Sequence, residues 1–139
     1  MLSFENYSEL LQELHKSLSD FLSIEKSMLN CGLRPFDFHE ATKKIQSIEN
    51  ETLHIKEKLD SHISQSEGNK SINMAITYIN NLLKSISQLH AISAKLEEKA
   101  NGGEYGFFAY RKDLKIYDKC EKTRESYGSQ LNITLKELW

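Results

Sequence analysis

The sequence predicts an all-α protein, an elongated antiparallel helical hairpin or bundle of three to four long helices with coiled-coil-like packing. Apolar residues recur at alternating steps of three and four, which places them on one face of a helix. Pro35 is the only proline, and none of the six glycines interrupts the long periodic segments. Residues that end helices cluster in three short regions, which divide the chain into four segments.

The first segment ends at Asn30-Cys31-Gly32, where glycine tolerates the left-handed conformation of a helix C-cap. Its three-four series has one charged member, Glu25, in a slot where an apolar residue is expected. Because an unsatisfied buried carboxylate is costly, Glu25 is interpreted as a register-setting or exposed seam residue and not as a catalytic or ligand group. The series comprises Phe4, Tyr7, Leu11, Leu14, Leu18, Phe21, Glu25 and Met28, and Leu10, Leu22 and Leu29 widen it.

The second and third segments repeat this spacing and predict two further long helices. Asp37 precedes the second, where its carboxylate can accept hydrogen bonds from free backbone amides, and Glu40 can reach back in a capping box. Residues 66–69 and 101–103 supply the next two breaks. At ~1.5 Å per residue each helix would be about 40 Å long, and the short breaks favour antiparallel neighbours. The two series comprise Phe38, Ala41, Ile45, Ile48, Thr52, Ile55, Leu59 and His62, and Ile72, Ala75, Ile79, Leu82, Ile86, Leu89, Ser93 and Leu96.

The fourth segment, residues 104–139, is expected to be largely helical, but its apolar face is thinner. The three-four step is kept by four residues and then reaches two charged ones, in the order Phe107, Tyr110, Leu114, Tyr117, Glu121 and Arg124. After Gly128 the apolar positions 131, 133 and 135 alternate as in a strand, whereas positions 131, 135 and 138 fit a helix, and both alternatives stay open. We therefore divide the chain into a three-helix core, residues 1–103, and an aromatic-rich C-terminal segment, residues 104–139.

The composition is that of one soluble globular or coiled-coil domain. With 39% apolar and 27% charged residues and a net charge of -2, the chain lacks the basic excess typical of nucleic-acid-binding proteins. Cys31 and Cys120 are far apart and form no Cys-x-x-Cys pair, which argues against a disulfide scaffold and fits a reducing compartment. The N-terminus lacks a secretory signal pattern and no long apolar run is present, so we expect a cytoplasmic protein without a membrane span.

No motif in the sequence predicts an enzyme, a cofactor or a metal site. Glu51 and His54 form a single Glu-x-x-His pair, whereas a di-iron bundle requires a second pair and further glutamates. Cys120 lies among charged residues on a predicted helix and is interpreted as an incidental thiol.

Basic residues in the fourth segment are interspersed with acidic ones. This mixture predicts a mixed-charge solvated helix face and not a strip for nucleic acid, so no nucleic-acid partner is expected. The basic residues are Arg111, Lys112, Lys115, Lys119, Lys122 and Arg124, and the acidic ones are Asp113, Asp118, Glu121 and Glu125.

The apolar series at the C-terminal end is explained by two hypotheses. The tail either completes the protein's own core or is held out to bind another polypeptide. The many aromatic side chains of this segment favour binding to another polypeptide, because an aromatic side chain provides a large contact area and loses little rotamer entropy on binding. In that case residues 104–139 are the candidate partner-binding region, and the predicted contact residues are Tyr117, Tyr127, Leu131, Ile133, Leu135, Leu138 and Trp139.

Three stretches of the chain resemble one known family. The opening helical hairpin of the FlgN group of flagellar type III export chaperones is similar to LLQELHKSLSDFLSIEKSMLNCG (residues 10–32) and HEATKKIQSIENETLHIKEKL (residues 39–59). A later helix of that family resembles INNLLKSISQLHAISAKLEE (residues 79–98), and Tyr127-Gly128 or Tyr105-Gly106 matches a Tyr-Gly that often follows it. The resemblance implies a cytosolic, non-enzymatic chaperone that delivers hook-filament junction proteins to the export gate. It also implies that a mobile C-terminal region binds the C-terminal helices of that cargo.

These observations predict a non-enzymatic, cytosolic helical binding protein. The preferred hypothesis is a secretion or flagellar export chaperone that binds a helical segment of a secreted or structural protein. The alternative is a structural or regulatory coiled-coil subunit, a homodimer or an adaptor, whose C-terminal tail packs in its own core. We predict from the sequence that removal of residues 129–139 leaves helicity and melting largely intact and abolishes partner binding, whereas a large loss of melting temperature would favour the self-packing tail.

Overall fold

The computed structural model describes the backbone of residues 4–32, 34–63 and 70–138, and the side chains of residues 6–32, 34–61 and 70–135. It consists of four helices, α1 (Phe4–Leu29), α2 (Phe38–Ile63), α3 (Lys70–Ala100) and α4 (Phe107–Leu138). The residues described contain no strand. The predicted all-α bundle of long helices is thereby confirmed, with four members.

The helix ends are set by residues that the sequence singled out. The Asp37 carboxylate accepts a hydrogen bond from the Glu40 amide at 3.0 Å and so caps α2. Gly32 follows α1 and Gly102 follows α3, with φ angles of 59° and 98°. These angles lie in the left-handed region that glycine adopts without steric penalty. The predicted break at residues 66–69 lies outside the described residues.

The four helices run alternately up and down. The hydroxyls of Tyr7 and Ser71 lie 2.6 Å apart near the starts of α1 and α3, so these two helices are parallel. His39 near the start of α2 lies 2.6 Å from Glu97 near the end of α3, which makes α2 antiparallel to both. The backbone packs most closely where α3 meets α2 and α4 and where α1 meets α2. By contrast, α1 and α4 meet mainly through side chains.

The core is centred on α3, which contributes the largest set of buried side chains. Six members of the predicted α2 series are also buried, Phe38 is half-buried, and the side chain of His62 lies outside the described residues. The hydroxyl of the buried Thr52 donates to the Ile48 carbonyl at 2.8 Å. The buried residues of α2 and α3 are Ala41, Ile45, Ile48, Thr52, Ile55 and Leu59, and Ser71, Ile72, Ala75, Tyr78, Ile79, Leu82, Ser85, Ile86, Leu89, Ile92 and Ser93.

The buried side of α1 is displaced from the series that the sequence predicted. Leu10 and Ser17 are buried, whereas the predicted seam residues Leu11 and Leu18 are only half-buried. The Ser17 hydroxyl lies 3.5 Å from a carboxylate oxygen of Glu51, so a small side chain stands where α1 packs against α2. Leu11 and Leu18 consequently turn toward α4.

The C-terminal segment is helical as far as Leu138, so the helix alternative is correct and the strand alternative is wrong. Leu131 and Thr134 are buried, and Leu135 is half-buried against the core. In this conformation the tail therefore packs on the protein's own bundle up to residue 135.

Contrary to the expectation from the sequence, removal of residues 129–139 should destabilise the bundle, because it deletes two buried side chains and one half-buried leucine. Burial of a leucine contributes about 1.5–3 kcal/mol, so we expect a loss of roughly 3 kcal/mol and a Tm lower by about 10 °C. Thermal unfolding followed by circular dichroism measures this. As a matched pair, Leu131→Ala should reproduce most of the loss, whereas Ile133→Ala should change the Tm little because Ile133 is 58% exposed. An unchanged Tm in the truncated protein would instead indicate a tail held out for a partner.

Candidate functional site

The candidate functional site is a groove between α1 and α4, with a volume of about 430 Å³. It follows residues 124–135 of α4, a length of about 16 Å at ~1.5 Å per residue. Its lining residues are Leu11, Leu14, His15, Leu18, Tyr78, Arg124, Glu125, Gly128, Ser129, Leu131, Asn132 and Leu135. We refer to it as the α1–α4 groove.

Leucines form both walls and the floor of the α1–α4 groove. Leu11 and Leu18 of α1 and Leu135 of α4 are half-buried, so part of each side chain faces the open groove. Leu14 and Leu131 lie deeper and are 4% and 6% exposed. An apolar channel of this kind, open to solvent between two helices, is the surface that an amphipathic helix of a partner can occupy.

Gly128 allows the groove floor to form. A Cβ atom at this position would lie 3.0 Å from Cε1 of Tyr78, closer than ordinary van der Waals contact. The missing side chain therefore lets the Tyr78 ring pack directly against the backbone of α4. This close approach gives a structural reason for the Tyr127-Gly128 pair that the sequence singled out.

A buried ion pair lies at the end of the groove nearest the middle of the bundle. Arg124 donates to both carboxylate oxygens of Glu121, at 2.7 and 3.2 Å, and to the Tyr78 hydroxyl at 3.3 Å. Arg124 is 6% and Glu121 8% exposed, so both charges are largely withdrawn from water. Such a pair is tolerated only when hydrogen bonds satisfy the two groups, and the bidentate geometry supplies them.

Glu25 is a second carboxylate near this ion pair, and unlike Glu121 it has a neutral hydrogen-bond partner and no bound cation. It accepts a hydrogen bond of 2.8 Å from the Tyr117 hydroxyl, which joins α1 to α4. Burial raises the pKa of Glu25, the Tyr117 hydrogen bond opposes this, and the nearby Glu121 charge raises it further. Burial also raises the pKa of Tyr117, which therefore stays a neutral donor. Glu25 is therefore not an exposed seam residue: it is half-buried and accepts a hydrogen bond from a neighbouring helix.

The predicted partner-binding residues occupy different environments. Leu131 and Leu135 meet in the α1–α4 groove, whereas Tyr117 is 1% exposed in the core beyond it. Tyr127 is half-buried against the core, and Ile133 is 58% exposed outside the groove lining. The side chain of Leu138 and the whole of Trp139 lie outside the described residues.

Sequence reasoning missed the other wall of the groove. It assigned Leu11 and Leu18 to the buried seam, yet both line the opening toward α4. The sequence feature that could have indicated this wall is the widened apolar stripe of α1, which has more leucines than one neighbouring helix can cover.

The motifs that the sequence singled out for metal or thiol chemistry lie apart from the groove. Glu51 lies beside Ser17, His54 is exposed, and both cysteines are free thiols. Within the described ranges, no group of three or more His, Cys, Asp or Glu side chains is arranged to hold a metal ion. None of the helices, over the residues described, has a stretch apolar and long enough to cross a bilayer.

Comparison with known proteins gives no relative: no family model, no curated protein and no solved structure matches the chain.

Replacement of Glu25 by glutamine is expected to change the pH dependence of stability. Because the folded-state pKa of Glu25 is raised, its stabilising contribution is complete below the ordinary glutamate pKa and is lost as the pH rises through the folded-state value. Glu25→Gln keeps an oxygen that can accept the Tyr117 hydrogen bond and cannot ionise. Urea unfolding should show the variant gaining stability relative to wild type as the pH rises above the ordinary glutamate pKa of about 4. Glu13→Gln, an exposed change on the same helix, should show no such gain; a Glu25 variant that loses stability over this range would contradict the assignment.

Replacement of Arg124 by methionine should destabilise the bundle strongly, because it leaves the Glu121 carboxylate buried without its cation. Breaking one side of a buried pair costs about 3–5 kcal/mol. The double variant Arg124→Met with Glu121→Gln should recover part of that loss in urea unfolding, because the uncompensated charge is gone. Equal losses in the single and double variants would show that the ion pair does not determine the effect.

Proposed function

We propose that this chain is a non-enzymatic cytosolic binding protein of the secretion and flagellar export chaperone class, which holds a helical segment of a partner protein in the α1–α4 groove. The observation that carries the proposal is the groove itself. There, α1 and α4 do not close on each other, and leucines from both helices remain partly open to solvent.

The dimensions of the groove suit a short amphipathic helix. Its length of about 16 Å corresponds to roughly three helical turns. Leu11 and Leu18 are seven residues apart on α1, so they repeat with the spacing of two turns. A partner helix that presents apolar residues at i, i+3 or i+4 and i+7 would place one anchor beside each of them.

The apolar walls are expected to dominate the affinity. Full burial of a leucine contributes about 1.5–3 kcal/mol, whereas an exposed ion pair contributes about 0–1 kcal/mol. The polar lining residues His15, Glu125, Ser129 and Asn132 lie around these leucines, and in this proposal they orient the partner helix more than they hold it.

The resemblance to the FlgN group supports the chaperone class and a particular cargo. The similar stretches cover much of α1, α2 and α3, and the first contains the α1 wall of the groove. The cargo that the resemblance implies is a C-terminal helix of a hook-filament junction protein. In the proposal the C-terminal region takes part in binding by forming the α4 wall, through Leu131 and Leu135.

A structural or regulatory coiled-coil subunit is the second candidate, and the burial of Leu131 and Thr134 favours it. In that case the tail serves the protein's own core. The groove is then covered by a second copy of the chain, so the protein is a homodimer.

Blocking the groove from its rim tests the proposal without removing a core side chain. Ser129 is exposed and lines the groove, and the adjacent Gln130 is exposed and does not. Ser129→Trp places a large side chain at the rim, so a partner helix can no longer contact the groove leucines. Binding of purified C-terminal segments of hook-filament junction proteins from the same genome should weaken by at least about tenfold. Gln130→Trp should bind like wild type, as measured by isothermal titration calorimetry.

The outcomes separate the two candidates. Failure of the wild-type protein to bind any of these segments, or equal binding by Ser129→Trp, would contradict the chaperone proposal. A wild-type dimer in sedimentation equilibrium that Ser129→Trp converts to a monomer would establish the structural subunit instead.

A further inference from the structure

The outer face of α4 carries a strip of cations over residues 107–122. The five basic residues of this range are all exposed, namely Arg111, Lys112, Lys115, Lys119 and Lys122. At about 100° per residue their directions fall within an arc of about 100°, and they span roughly 17 Å along the helix axis. We call these five residues the basic strip.

The acidic residues that alternate with the basic strip in the sequence do not neutralise it. The Asp113 carboxylate is turned inward, where it accepts hydrogen bonds from Tyr105 at 2.6 Å and Lys95 at 2.9 Å. Glu121 is buried in its ion pair. Asp118 is the only exposed acidic residue of residues 107–122, at the edge of the arc, and counting it against the five cations leaves a charge of +4. Glu125, the fourth acidic residue of the set, is exposed but lies beyond this range. This half of α4 is therefore basic on its outer face and not of mixed charge.

Two exposed aromatic rings adjoin the basic strip at the start of α4. Phe107 is 64% and Phe108 85% exposed, and their rings contact each other edge to face at 5.8 Å between centroids. The guanidinium of Arg111 lies 5.7 Å from the Phe107 ring centroid. A phenylalanine left in water forgoes about 1.5–3 kcal/mol of burial free energy. Two adjacent rings at the end of a cationic face therefore indicate a partner that offers both an apolar environment and negative charge.

An anionic membrane surface offers both. The apolar rings can enter the headgroup region, and each Lys or Arg near an anionic leaflet contributes about 1 kcal/mol. Single-stranded nucleic acid fits less well, because base stacking needs aromatic rings distributed among the cations. Here both exposed rings stand at one end, while Tyr110 and Tyr117 face inward from the same stretch of helix.

We propose that the outer face of residues 107–122 docks on an anionic membrane surface, with Phe107 and Phe108 inserted between lipid headgroups and the basic strip facing them. The α1–α4 groove follows residues 124–135, a later stretch of the same helix. The proposal is independent of the groove and of the partner that occupies it.

Co-sedimentation with vesicles tests this docking. The wild-type protein should pellet with vesicles of phosphatidylcholine containing about one-third phosphatidylglycerol and not with phosphatidylcholine alone, and salt at about 0.5 M should release it. Lys115→Gln with Lys119→Gln should weaken binding by about tenfold to thirtyfold. Phe107→Ser with Phe108→Ser should weaken it by at least about tenfold. All four changes affect exposed side chains, so the Tm should stay that of wild type.

The control carries the same loss of charge on another face. Lys43→Gln with Lys44→Gln removes two exposed cations of α2 and should leave vesicle binding unchanged. Equal weakening in this control, equal binding to neutral vesicles, or no binding to anionic vesicles would overturn the proposal. Binding of a labelled single-stranded oligonucleotide in the absence of vesicle binding would assign the basic strip to nucleic acid.

Discussion

The packing of α3 between α2 and α4 is the interaction on which the rest of the structure depends. Its apolar stripe is buried along most of its length, and eight of its residues, among them Ile79, Leu82, Ile86 and Leu89, have no exposed surface. Because α2 and α4 together bury the apolar stripe of α3, little of that stripe is left for α1. The backbone of α1 packs closely against α2, and α1 meets α4 mainly through side chains. The open α1–α4 groove is a consequence of that unequal packing.

Polar contacts then fix how α4 is placed against its neighbours. Apolar packing is non-directional, so it tolerates a shift of one helix along another better than a hydrogen bond does. Arg124 is tied to Tyr78 of α3, and Tyr117 is tied to Glu25 of α1. These two contacts define the register of α4 at the point where its apolar face is thinnest, and they place Leu131 and Leu135 opposite the leucines of α1.

The two surfaces proposed for binding use different parts of α4. The α1–α4 groove lies along residues 124–135, and five of its twelve lining residues are leucines. The basic strip and the paired phenylalanines occupy residues 107–122 on the outer face. Neither surface belongs to the single buried apolar stripe that is typical of a core helix. The weak apolar periodicity of the fourth segment thus reflects a helix that buries a narrow face and presents two others.

The sequence by itself determined the first three helices and the helical start of the fourth, because the three-four spacing, the Asp37 cap and the glycines after α1 and α3 are local properties of the chain. It left open whether residues 129–139 form a helix or a strand. It also placed Glu25, Glu121 and Arg124 at seam positions and predicted Leu131 and Leu135 as partner contacts. Only the tertiary structure decided that Leu11 and Leu18 line a groove and that Asp113 and Glu121 leave the basic strip uncompensated. A helical period states which residues share a face, but the width of the buried arc depends on how closely each neighbouring helix approaches. That distance is set by side chains far apart in the sequence.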